Sequence, residues 1–133
     1  MLAPSLDTVR LFLHVLAAAI WVGGQFVVAG VVPGMRKVGP EATQALARGF
    51  ARVAWPAFFI VVVTGMWNLF NVSDDVSTAY HVTLGIKILL VMIAGGAAFL
   101  HQTTDRTVVR AATGALGGVL ALVTLFLGVL LTT

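Results

Sequence analysis

Four long apolar runs dominate this chain, and each is about as long as a bilayer is thick. They extend over residues 11–32, 53–70, 82–100 and 115–131. A bilayer core of about 30 Å needs about 20 apolar residues per helix. Backbone polar groups in lipid must be paired within the segment, and these runs do not alternate as barrel strands would, so they read as helices. Charged residues make up 10% of the 133 positions and apolar residues 59%. A soluble domain carries about 25% charged residues, so a water-soluble fold is excluded. The expected architecture is all-α: one integral membrane domain over residues 1–133, a four-helix bundle of up-down topology.

The joining segments predict an orientation. Arg36, Lys37, Arg48 and Arg52 lie between the first two runs, and Arg106 and Arg110 between the last two. The middle connection carries Asp74 and Asp75 and no Lys or Arg. The positive-inside rule places segments 33–52 and 101–113 in the cytoplasm and both termini on the outer side of an inner or plasma membrane. The net charge of +3 comes from these short segments, which argues against a nucleic-acid partner. There is no cysteine, hence no disulfide framework and no thiolate metal site. The first run is too long for a cleaved signal and has no basic stretch before it. Pro40 and Glu41 suit a first helical turn, so the second helix is expected to start near Pro40 and kink near Pro56, and Thr104 or Asp105 to cap the fourth.

Helical spacing puts Arg10, His14, Ala18, Trp21 and Gln25 on one stripe of the first helix, which should face the protein rather than lipid. Thr64, Asn68 and Asn71 line up in the second, with Trp67 beside them. Tyr80, Leu84, Lys87, Val91, Ala94, Ala98 and His101 share a face of the third. The fourth carries a small-residue face of Gly114, Gly117, Ala121, Thr124 and Gly128, suited to close packing within the bundle or to a homodimer through Gly117, Ala121, Thr124 and Gly128. At about 1.5 Å per residue, His14 and Lys87 each lie about 10 Å in from the outer surface. His81 sits at the outer rim and His101 at the opposite end. Trp21 and Trp67 read as packing residues and Trp55 as an interfacial anchor.

Lys87 is the most costly residue, at about 3 kcal/mol for a lysine within a span. Either it snorkels to the headgroups or it meets a ligand carboxylate, an anion or a metal. His14 is either a core histidine hydrogen-bonded to a carbonyl or to a neighbour such as Asn68, or a metal or haem ligand through a neutral nitrogen. No run holds a carboxylate, and no Ser-His-Asp or HExxH arrangement exists. Hydrolysis and proton-coupled transport are therefore disfavoured.

The stretch LHVLAAAIWVGGQF, a histidine followed seven residues later by tryptophan and then small residues, resembles the first helix of the copper-resistance D domain. ARVAWPAFFIVVVTGMWNL and LGIKILLVM are similar to that family's second and third helices. The likeness covers three of four helices in order. The same superfamily includes the bacterial four-helix membrane protoporphyrinogen oxidases, with a histidine in helix one and a lysine in helix three. The resemblance implies a haem b site at His14 and Lys87. It also departs from that oxidase pattern, because the chain is short and VVPGMRKV lacks an aromatic-rich run. The residues themselves add Trp21, Asn68 and His81 as cofactor-binding candidates, with Lys87, His81 or a second protomer's His14 to supply a sixth ligand or hold a propionate.

Three readings follow. The first is a haem b-binding membrane protein in electron transfer or porphyrin-related redox chemistry, which as an enzyme would be a haem-dependent oxidoreductase. The second is a copper-binding protein for copper uptake or resistance, its metal held by His14, His81 and Met66. Cu(I) prefers sulfur ligands, and Met66 and Met92 are the only intramembrane methionines. The third is a non-catalytic membrane subunit or assembly factor that uses the small-residue face.

Overall fold

A computed structural model describes residues 3–133. It contains four helices, α1 (Leu6–Val38), α2 (Pro40–Phe70), α3 (Thr78–Thr103) and α4 (Thr107–Leu130), and no strand among the described residues. Each helix is long and apolar enough to cross a membrane. Their outward faces are apolar: Phe12, Phe59, Phe99 and Phe126 are all more than 60% exposed. Lipid is the solvent that such faces match, so the chain is a multi-pass membrane protein.

The helix ends follow local chemistry more than apolarity. Ser5 caps α1 in a capping box with Thr8. Asp7 in the first turn and Arg36 and Lys37 in the last complement the helix dipole. The apolar run ends at Val32, yet α1 continues through Pro33 to Val38. Gly39 then makes a connection of a single residue at φ 147°, a backbone state that disfavours any side chain. Pro40 follows at the first position of α2, where its missing N–H costs nothing. The segments 33–52 and 101–113 are thus mostly helix, and α2 starts at Pro40 as expected. Ser77 caps α3, its hydroxyl accepting from the Tyr80 N–H at 3.2 Å. The expected cap of α4 is corrected. Its N-cap is Arg106, without a side-chain cap bond, while Thr104 ends α3 and accepts from the Arg106 N–H.

The chain divides into two compact units, with the boundary between Val72 and Ser73. In the first, α1 and α2 form an antiparallel pair. His14 lies against Gly65, Trp21 against Phe58 and Trp55, and Gly24 against Phe50, so α2 numbers fall as α1 numbers rise. Ring centroids are 4.6 Å apart for Trp21–Phe58 and 5.8 Å for Trp21–Trp55. Tilted pairs at such distances add about 0.5–1.5 kcal/mol beyond area burial. Trp55 is therefore a partner of Trp21 rather than an interfacial anchor, while Trp67, expected to pack, is 42% exposed. A Cβ on Gly24 would sit 2.5 Å from Phe50 Cε2. Gly24→Val is expected to destabilise this pair by about 1–3 kcal/mol, read as a lower melting temperature in detergent.

In the second unit α3 and α4 pair in the same sense. The His101 ring lies 3.0 Å from where a Cβ of Gly114 would stand, and Lys87 Nζ 3.2 Å from that of Gly128. Ala94, Gly95 and Ala97 of α3 and Thr113, Gly117, Ala121 and Thr124 of α4 are buried. Gly117, Ala121 and Thr124 of the small-residue face are thus buried within this unit, the close packing that was one of the two expectations for it. The buried threonines satisfy themselves: Thr113 donates to Val109 O and Thr124 to Ala121 O.

Candidate functional site

The inward stripe of α1 is as its spacing implies. Arg10, Ala17 and Trp21 are buried, and His14, Ala18 and Gln25 are half-buried. Gln25 turns back on its own helix and donates to Trp21 O at 3.1 Å. His14 instead reaches α2, where its Nδ1 is 2.8 Å from Thr64 Oγ1. Thr64 is 4% exposed, and its hydroxyl is also 2.5 Å from Ile60 O. Two oxygens approach that closely only with a hydrogen between them, and the hydroxyl has one hydrogen. That hydrogen goes to Ile60, so Thr64 accepts from His14. The imidazole proton is consequently on Nδ1, and in the neutral ring Nε2 carries the lone pair. The His14 ring also lies over Gly65, 3.4 Å from where a Cβ would stand.

One turn toward the helix end lies a residue that sequence reasoning placed on the stripe and gave no role. Arg10 is 8% exposed, and its Nη2 pairs with Asp7 Oδ1 at 3.0 Å. Its Nε and Nη1 are buried without a hydrogen-bond partner, as is Asn68 Oδ1. The signal was a charge four residues before a histidine on an inward stripe. Asn71, in line with Asn68, is exposed and donates to Trp67 O. Outside this pair runs an apolar groove of about 240 Å³, lined among others by Leu13, Leu16, Ile20, Val53, Pro56 and Ile60. It is below the usual range of small-molecule pockets, about 300–1,000 Å³.

Each of the other expected ligands has its own setting within its unit. Met66 is 53% exposed on the outward face of α2. His81 is exposed, with Nδ1 3.2 Å from Ser77 O of its own helix. Lys87 belongs to the second unit, half-buried beside Gly128. His101, also in that unit, donates from Nδ1 to Arg110 O at 2.7 Å, while Arg110 Nη2 donates to Thr104 O at 2.6 Å. These two bonds fasten the short connection between α3 and α4. Among the described residues no group of three or more His, Cys, Asp or Glu is placed to hold a metal ion.

No known family profile matches the chain, and no solved structure matches it. It is similar to an uncharacterized protein of Aquifex aeolicus, 32% identical over 89 residues. The match covers 63% of this chain and 62% of that relative, so the chain spans less than two thirds of the relative's length.

Proposed function

We propose that this chain is a small membrane protein that binds haem b, for electron transfer or porphyrin-related redox chemistry, with His14 as an axial ligand. The observation that carries this reading is the bond from His14 to Thr64. A haem iron takes a neutral imidazole nitrogen whose partner N–H is held by an acceptor, and Thr64 supplies that acceptor. Haem would contribute one-electron chemistry; the chain contributes the oriented nitrogen and a low-dielectric setting. The donor set fits copper poorly. Cu(I) favours sulfur, and the one methionine grouped with His14 as a copper ligand, Met66, is half exposed on the outward face of α2. The test is an absorption spectrum of the protein purified from haem-supplied cells. A Soret band with about one haem per chain is expected, and a featureless visible spectrum overturns the reading.

The proposed orientation has both termini outside and the Arg106 side in the cytoplasm. Because the sequence has no cysteine, single cysteines report accessibility cleanly. Ser73→Cys is expected to react with a membrane-impermeant thiol reagent in intact cells, and Thr104→Cys only after permeabilisation. The opposite pattern would reverse the topology.

A further inference from the structure

Arg10 carries a planar guanidinium, and its side chain is only 10% exposed. Asp7, 70% exposed, engages one guanidinium nitrogen. The N–H of Nε and both N–H groups of Nη1 have no acceptor. Charges that far from water are normally paired, and a buried donor without a partner is destabilising, the more so when charged. Asn68 adds a second unsatisfied group. His14 beside Thr64 and Gly65 marks the register of α1 against α2. One turn further, about 6 Å along the axis, the same register brings Arg10 level with Asn68. Four polar residues thus form two tiers on one hairpin: His14 with Thr64 below, Arg10 with Asn68 above.

The two tiers differ in chemistry. The lower one offers a nitrogen lone pair. The upper one offers N–H donors in a planar fork, a geometry that matches a carboxylate. Asn68 can rotate its amide to present NH₂ to the same group. Haem b is a flat apolar ring with iron at its centre and two carboxylates on one edge. We infer that Arg10, supported by Asn68, receives a carboxylate of the ligand whose iron His14 holds. This inference rests on the haem reading and names the residues that fix the ligand's orientation in the membrane. Asp7 is exposed enough to turn into water as the ligand carboxylate takes its place.

The experiment titrates purified protein with haem b and with its dimethyl ester, in which both carboxylates are masked, and follows the Soret band. Wild type is expected to bind haem b about tenfold or more tighter than the ester, as one charged hydrogen-bonded contact implies. Arg10→Gln should lose most of that preference, while its Soret maximum stays at the wild-type wavelength because His14 still ligates. Arg10→Lys should retain part of it. Asn68→Leu, which leaves the charge in place, gives a second and milder variant should Arg10→Gln fold poorly. Equal affinity of wild type for the two ligands overturns the inference and leaves the haem reading standing. Full preference retained in Arg10→Gln does the same. No Soret band with either ligand overturns both.

Discussion

His14→Ala is expected to abolish the Soret band of the haem-supplied protein, with the apparent affinity for haem falling by at least about a hundredfold. The loss of a ligand should exceed the 10–100-fold typical of losing only a ligand's hydrogen-bond partner. The substitution leaves a small space beside Gly65 and Thr64, where the ring now lies. Imidazole added to the variant should enter that space and restore a Soret band. A structural histidine would respond differently: the variant would lose stability, and its haem content per folded chain would not change. His81→Ala and His101→Ala serve as controls, since both rings are bonded to backbone oxygens of their own unit. Neither should alter the spectrum.

Thr64→Val is expected to weaken haem binding by about 10–100-fold while keeping the shape of the site. Valine matches threonine in volume and offers no oxygen. The Nδ1–H of His14 then has no acceptor on α2, and a buried unpaired donor costs about 1–3 kcal/mol. The ring is also free to exchange its proton between nitrogens, which lowers the fraction that presents a lone pair at Nε2. Thr64→Ser keeps the hydroxyl and should behave as wild type. If Thr64→Val binds haem as tightly as wild type, the tautomer has no part in ligation. Within α2 the lost bond to Ile60 O costs little, since that carbonyl still accepts within the helix.

The helices were legible in the sequence because lipid imposes one requirement on every residue of a span. Their ends were less legible. Pro33 lies inside α1, although the apolar run stops one residue before it, because a helix continues wherever its hydrogen bonds can and not only where its side chains are apolar. Inward faces followed from spacing: Arg10, Trp21, Thr64 and Ala94 are all buried where the stripes place them. Partners did not follow. That His14 meets Thr64 rather than Asn68 depends on the register of α1 against α2. That register is set by the one-residue connection at Gly39 and by Phe50 closing on Gly24. Trp55 looked interfacial because it stands near the basic end of α2, yet Trp21 and Phe58 draw it inward. Small residues on α4 suggested close packing without saying which side chains would use the gaps, and within this unit His101 lies over Gly114 and Lys87 over Gly128. Arg10 was passed over because spacing gives its face but not its partners, and its burial is a tertiary fact.

In the proposed haem complex, Nε2 of His14 would ligate the iron. Resonance Raman spectroscopy of the ferrous haem-loaded protein tests it most directly, with histidine at natural abundance and labelled with nitrogen-15. The account predicts an iron–histidine stretching band that shifts with the label and is absent from His14→Ala. A band that persists unshifted, or one that survives unchanged in His14→Ala, would contradict it.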